Sequence, residues 1–360
     1  MINEDKVNAE LHKGDGLPAD LFDNRPKVKQ ASPKRRLNIL PANPEETPSH
    51  RAVGLGRFPS WLHRPLPQGN ELWATNRIMR ENRLHTVCEE ARCPNLLECW
   101  SKKTATFLVM GKECSRSCGF CSIDFNKAPQ PLDPLEPQRV AESVADLGLK
   151  HVVITMVARD DLPDGGGAHL AEVVRAIRRQ VPDTTIEVLT SDFAGNWDAV
   201  DAVLAACPEI YNYNIETVRQ LTPQVRHKAT YERTLALLSH VKAHAKKQAQ
   251  LHSENSGGAF FVKSGMMVGL GESEEQVYET IRDLGQVGCD IITIGQYLQP
   301  ARNKLLVKAF VTPEQFVKYA DYGYSVGIKN MYCGPFVRSS YNANLVMQQA
   351  SGQLKTINSQ

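Results

Sequence analysis

Six apolar runs recur through the middle of the chain, at residues 106–110, 151–157, 185–189, 210–215, 260–268 and 290–298. They read as strands buried on both faces, as parallel strands are. Segments with helical apolar spacing lie between and after them: about 137–148 (Val140, Val144, Leu147), 170–179 (Val173, Val174, Ile177), 197–206, 231–244, 274–284 and 312–322. The last has Thr312 placed as an N-cap and Pro313 at the first helical position, a pairing that starts helices. Alternating strand and helix predicts βαβ units, in a barrel or a doubly wound sheet. About six units are present, fewer than the eight of a closed barrel. Ahead of them, residues 1–50 are polar and without sustained periodicity, which predicts a mobile extension. Residues 58–62 are apolar enough to dock, and 72–84 is compatible with a helix (Leu72, Asn76 and Met79 on one side). Residues 246–258, with Gln, Ser, Asn and paired Gly, read as a surface insertion between a helix and a strand.

Composition narrows the picture. A chain of 360 residues with 42% hydrophobic content suits one large domain with appendages. A net charge of +2 makes no global case for nucleic acid or an anionic membrane. The small basic cluster Lys27, Lys29, Lys34, Arg35 and Arg36 reads as a solvated tail. The N-terminus has early acids and no apolar core of a signal peptide, and no run approaches the ~20 residues that span a bilayer. A reducing cytoplasm is therefore expected, where clustered cysteines bind metal or do chemistry.

Of nine cysteines, six fall between Cys88 and Cys121. Cys114-Ser-Arg-Ser-Cys118-Gly-Phe-Cys121 is a C-x₃-C-x₂-C trio. Three thiolates can grip three corners of an iron–sulfur cube and leave the fourth iron open for a substrate or cofactor. A zinc site is the alternative. Cys88, Cys93 and Cys99 form a second trio, C-x₄-C-x₅-C. Two trios imply two clusters, each short of one protein thiolate. The other reading, one ion or cluster drawing on both trios, strands cysteines in each. Cys207, Cys289 and Cys333 lie in or beside apolar runs and read as small buried hydrophobes. His85, His169 and His227 read as surface or supporting groups.

Ligands of parallel α/β folds sit at the carboxyl ends of the strands. Thr155, Asn212, Asn214 and Glu216 lie near such ends and are candidate contacts to a cofactor. Arg159 and Asp161 read equally as functional groups or as an ion pair at the barrel mouth. Gly269-Leu-Gly271 is not a dinucleotide fingerprint, since Glu274 stands where a third glycine is needed. Asp164-Gly-Gly-Gly167 lacks the lysine of a phosphate loop and reads as a tight turn.

The trio at Cys114, Cys118 and Cys121, with Phe120 before its last cysteine, resembles the signature of the radical S-adenosylmethionine (SAM) superfamily. With both trios in view the likeness narrows to the lipoyl synthase family and covers about residues 57–345. It is carried by Thr86-Val-Cys-Glu-Glu-Ala-Arg-Cys-Pro-Asn95, Thr104-Ala-Thr-Phe107, Arg159-Asp-Asp-Leu162, Lys263-Ser-Gly265, Val268-Gly-Leu-Gly-Glu272, Gly295-Gln-Tyr-Leu-Gln-Pro300 and Gly334-Pro-Phe-Val-Arg-Ser-Ser-Tyr341.

This resemblance implies an open partial (β/α)6 TIM-like barrel with an N-terminal cluster-binding extension and a C-terminal cluster-capping segment. The implied divisions are 1–56 (flexible extension), 57–103 (auxiliary cluster), 104–330 (barrel, with the insertion 246–258) and 331–360 (C-terminal segment). It implies two 4Fe–4S clusters and SAM as cofactors. One cluster sits on Cys114, Cys118 and Cys121 and binds SAM. The other sits on Cys88, Cys93 and Cys99 with Ser340 as its fourth ligand, an unusual alkoxide suited to a cluster that is dismantled. The segment 265–272, including Gly269, is similar to the superfamily's strand beside adenine, or is a plain strand-to-helix turn.

The implied activity is that of a sulfurtransferase. A SAM-derived radical abstracts hydrogen at C6 and then C8 of a protein-bound octanoyl-lysine, and the auxiliary cluster donates the two sulfurs. Implied partners are octanoylated lipoyl carrier domains (2-oxoacid dehydrogenase E2 subunits, glycine cleavage H protein), an electron donor such as flavodoxin or ferredoxin, and an iron–sulfur cluster carrier. Met156, Ala158 and Tyr213 depart from the Ser, Asp and His usual in the family and put SAM contacts or substrate choice in question. Alternatives are another radical SAM sulfur-inserting enzyme, or a non-catalytic iron–sulfur or zinc protein.

Overall fold

The computed structural model describes residues 59–63, 85–90, 93, 95–96, 106–251 and 260–340. The expected extension 1–56, the helix at 72–84, Cys99, Tyr341 and most of the insertion lie outside them, as do the side chain of Cys88 and the C-terminal residues after Ser340. In chain order the elements are β1 (His85–Thr86), α1 (Val87–Glu90), β2 (Thr106–Val109), β3 (Glu113–Cys114), β4 (Asp124–Phe125), α2 (Glu136–Asp146), β5 (His151–Met156), α3 (Gly167–Gln180), β6 (Thr185–Leu189) and α4 (Trp197–Leu204). They continue with β7 (Ile210–Asn212), α5 (Thr222–Val225), α6 (Tyr231–Leu251), β8 (Phe261–Val268), α7 (Glu274–Gln286), β9 (Ile291–Gln296), α8 (Pro313–Ser325) and β10 (Asn330–Gly334).

One eight-stranded sheet runs in the order β1-β2-β5-β6-β7-β8-β9-β10. Its pairs are parallel except for the antiparallel β1–β2 edge. β1 and β10 are the two edges, so the sheet curves as a partial barrel and does not close. All six predicted strands are present. β7 stops at Asn212, and the chain rejoins the sheet through a single bridge between Glu216 and Met266. The sheet gains a seventh parallel strand, β10, which has no long apolar run of its own and is a strand through its pairing with β9. Helix α6 runs on to Leu251, so the expected insertion begins as helix rather than as loop.

The elements form for local reasons. Ser273 and Gln276 make a reciprocal capping box at the start of α7, and Thr312 caps α8 with Pro313 behind it. The apolar faces of α2 and α3 (Val140, Val144, Leu170, Val173, Val174, Ile177) are fully buried with Phe107, Val152 and Ile154 of the sheet. Each such side chain contributes roughly 1.5–3 kcal/mol. The strands are not apolar throughout. In β6, Ile186 and Val188 join that core while Glu187 between them meets Lys263 of β8 inside the barrel, both side chains fully buried. No helix among the described residues is long and apolar enough to cross a membrane.

Candidate active site

Cys114 ends β3, which pairs in parallel with β4, so the chain leaves and re-enters a two-stranded ribbon around the cysteine loop. The loop is fastened from several sides. Ser115 donates its N–H and its hydroxyl to the Ala158 carbonyl at 2.9 and 3.0 Å, and its oxygen accepts from Asp160 N at 2.9 Å. Gly119 donates to the Val225 carbonyl and accepts from Leu305 N, both at 3.0 Å. A Cβ on Gly119 would stand 2.9 Å from Leu305 Cγ, so only glycine permits this approach. Cys121 N donates to Cys118 O at 3.3 Å, and Arg116 N donates to Cys114 Sγ at 3.4 Å. The Ser122 hydroxyl donates to the carbonyl of Glu90, at the end of the helix that contains Cys88, tying the two cysteine segments together.

Burial, and then the neighbouring Cys121 and Glu216, push the Cys118 thiol up to about 12, while burial pushes Cys121 up to about 11. Both therefore favour the thiol, and any metal bound there would have to displace their protons. Among the described residues no three His, Cys, Asp or Glu side chains converge on a point fit for one ion.

Above the loop, at the carboxyl ends of the strands, lies a cavity of about 400 Å³. Its wall takes Cys114 and Cys121 from the loop, Cys93 from the other, N-terminal trio, and Ser340 from the segment after β10. It also takes Thr155, Asn214 and Glu216 of the predicted set, together with Met156, Ala158 and Tyr213. Cys118 belongs to the same loop but is not among the residues that line the cavity. Two predicted contacts lie elsewhere. Asn212 is fully buried in the barrel, where its amide donates to Glu187 at 2.9 Å. Gly269 forms a left-handed turn (φ 96°) packed on the Gln296 side chain. β7 ends at Asn212, so the side chains that reach the cavity are those that follow it. Arg159 and Asp161 form a bidentate ion pair at 2.8–2.9 Å and do not line the cavity.

The polar end of the cavity is strained and incompletely satisfied. Glu216 has φ 67°, and burial raises its carboxyl against the pull of Arg226. Asn214 donates to Glu216 at 3.1 Å and to Ser339 Oγ at 3.4 Å, while its own oxygen is buried without a partner. A buried acceptor of that kind fits a donor-bearing ligand.

The segment carrying Ser340 is held by the Asn95 amide, which donates to Phe336 O at 2.8 Å, and by close passage of Val337 over Gly295. Asn95 lies two residues after Cys93, so one side chain links the N-terminal trio to the Ser340 segment.

Several residues escape a reading of the sequence. Arg116, inside the cysteine loop, pairs with Asp160 and Asp192 at 2.7 and 2.6 Å. Arg226 underlies Asn214 and Tyr213. Gln296 lines the cavity and hydrogen-bonds to the Ala309 carbonyl and the Val311 N–H. An arginine between two of the clustered cysteines was the available signal for the first, and the others carried none. Of the remaining cysteines, Cys289 is buried and Cys333 half-buried. Cys207, expected inside, is exposed, because it occupies a left-handed turn (φ 58°) just after α4.

A model of the radical SAM superfamily matches residues 108–284, and a model of the N-terminal domain of lipoyl synthase of the radical SAM family matches residues 38–93. The lipoyl synthase of Protochlamydia amoebophila (strain UWE25) is 64% identical over 340 residues, covering 94% of this chain and 100% of the relative. That of Chlamydia felis (strain Fe/C-56) is 51% identical over 311 residues, covering 86% and 95%. With two cysteine segments and a C-terminal serine meeting at one cavity, and with identity of that order along nearly its whole length, the chain belongs to the lipoyl synthase family of radical SAM enzymes.

Proposed function

We propose that this chain inserts two sulfur atoms, at C6 and C8, into an octanoyl group amide-linked to a lysine of a lipoyl carrier domain. The observation that carries this reading is the shared cavity: residues of both trios (Cys93, Cys114, Cys121) and Ser340 line the same space. Cys114, Cys118 and Cys121 would hold a 4Fe–4S cluster open to SAM. Cys88, Cys93, Cys99 and Ser340 would hold a second. When bound, the first group with SAM supplies the hydrogen-abstracting radical and the second supplies sulfur.

The chain's own residues supply the setting. Leu108, Met156, Met266, Met267 and Leu298 give the cavity an apolar wall suited to an alkyl chain and to excluding water. Thr155, Asn214 and Glu216 offer polar contacts for SAM at the strand ends. Asn212 and Gly269 would act from behind, Asn212 through Glu187 and Gly269 through the Gln296 turn. The clamps on Ser115 and Gly119 keep the thiols in one arrangement, which is what a reaction between short-lived partners requires. E2 subunits of 2-oxoacid dehydrogenases and the glycine cleavage H protein are the proposed carriers. A flavodoxin or ferredoxin as reductant and an iron–sulfur carrier complete the proposed partners, in the cytoplasm.

The test is a single turnover. Anaerobic, reconstituted and reduced protein is mixed with SAM and an octanoyl-lysyl peptide, and the peptide is weighed by mass spectrometry. A gain of two sulfurs as the dithiol, with a further loss of two hydrogens once the product is oxidised to the disulfide after the reaction, is expected alongside 5′-deoxyadenosine. Deoxyadenosine with an unchanged peptide would keep the radical reading and reject this substrate.

A further inference from the structure

Four cationic side chains are buried among the described residues: Arg116, Arg159, Arg226 and Lys263. Three of them close on carboxylates. Arg116 meets Asp160 and Asp192 at 2.7 and 2.6 Å, Arg159 meets Asp161 at 2.8 Å, and Lys263 meets Glu187 at 2.8 Å. Arg226 meets none among the described residues. Its Nη1 donates to the Asn214 carbonyl at 2.8 Å and to the Tyr213 hydroxyl at 3.3 Å, and its Nη2 donates to Thr234 Oγ1 at 2.6 Å. All three acceptors are neutral, and Nε is buried with no acceptor at all. Glu216 feels the Arg226 charge, but its carboxylate is held by the Asn214 amide.

A buried cation with no carboxylate at salt-bridge distance is unfavourable, so its position indicates where a further anion belongs. Arg226 follows Val225, whose carbonyl receives the N–H of Gly119, the residue after Cys118. Arg226 is thus one residue from a backbone contact with the cysteine loop. Its partners Tyr213 and Asn214 line the same cavity as Cys114 and Cys121.

We propose that Arg226 is the counter-ion of the iron–sulfur group held by Cys114, Cys118 and Cys121. The proposal rests on that ligand assignment. Three thiolates leave the oxidised group with a net negative charge, and reduction adds another. A fixed cation inside the fold favours the reduced level, and net charge and hydrogen bonding are established determinants of cluster potential. The three neutral hydrogen bonds hold the guanidinium in place without cancelling its charge. Arg226 is then a positioning and tuning residue and not a ligand.

The test is a redox titration of the intact, reconstituted chain by electron paramagnetic resonance, following the signal that SAM perturbs. For Arg226→Gln the ratio of reduced to oxidised group at fixed potential is expected to fall at least ~10-fold, about 59 mV for a one-electron couple. Arg226→Lys keeps the charge and is expected to titrate nearer the wild type. A wild-type potential in R226Q overturns the proposal, and so does an unchanged potential with weakened SAM binding, which would make the SAM carboxylate the partner. If R226Q does not retain iron but R226K does, the charge requirement stands. If both lose it, the role is one of hydrogen bonding and the proposal fails. Cys118→Ala separates the ligand assignment: a SAM-perturbed signal surviving there rejects the assignment whatever Arg226 does.

Discussion

The Arg116 guanidinium grips the Asp160 carboxylate through two parallel hydrogen bonds, Nε to Oδ2 at 2.9 Å and Nη2 to Oδ1 at 2.7 Å. This pins the loop between Cys114 and Cys118 to the chain just past β5. The same guanidinium reaches the fully buried Asp192, which Arg233 also meets at 3.0 Å. Arg116→Met removes the cation and leaves two carboxylates partly compensated by Arg233 and Lys228. Breaking a buried pair costs about 3–5 kcal/mol, and the remaining cations place this one at the low end. Urea denaturation of the iron-free chain measures the loss, and iron loading at Cys114, Cys118 and Cys121 is expected to fall with it.

Gly295 on β9 lies directly under the Val337 carbonyl oxygen, with Arg338 Nη1 3.0 Å from where a Cβ would sit. Gly295→Ala must lift the segment that carries Ser340 away from the cavity. A displacement of about 1 Å at a reacting centre can cost about 10²-fold. Sulfur insertion is expected to fall by that order while SAM cleavage continues. Product mass spectrometry and deoxyadenosine counted in the same reaction distinguish the two. Equal loss of both would mean that the whole cavity had collapsed.

Glu187 and Lys263 form an ion pair within the barrel. Burial works to raise the Glu187 carboxyl, but the Lys263 charge, with His151, outweighs it and holds the group well below the ordinary carboxylate range. A lowered folded-state pKa means stability that is present above the unfolded value, about 4.3 for glutamate. That stability is lost as pH falls through the folded value. Lys263→Met should cost about 3–5 kcal/mol near neutrality. The gap to wild type should narrow below about pH 4. Glu187→Gln added to Lys263→Met should restore most of it. Denaturant midpoints at neutral and acid pH test all three statements, and a gap independent of pH would remove the ion pair as the cause.

The two trios should separate functionally. Cys118→Ala is expected to abolish SAM cleavage and leave the iron of the second site in place. Cys93→Ala is expected to leave SAM cleavage and stop sulfur insertion. Iron and sulfide analysis with deoxyadenosine and product assays reads both variants. If they behave alike, the division of roles between the trios is wrong.

What the sequence by itself determined is whatever local spacing can encode. Apolar runs separated by helical periodicity marked six β/α units, because parallel strands under helices must be largely apolar. The two cysteine trios were legible as trios because their members are neighbours in the chain. The tertiary structure decided which of those neighbours matter to one another. Glu187 and Lys263 interrupt apolar runs and look out of place until register sets them face to face across β6, β7 and β8. β10 is a strand only because β9 offers it an edge. Asn212 and Asn214 are equally plausible from their spacing. The end of β7 sends Asn212 into the barrel and Asn214 to the cavity. Arg116 with Asp160, Gly295 with Val337, and Arg226 beside the cysteine loop all join segments far apart in the chain. Side-chain chemistry is written residue by residue, but the anion a buried cation answers is set by the fold that encloses it.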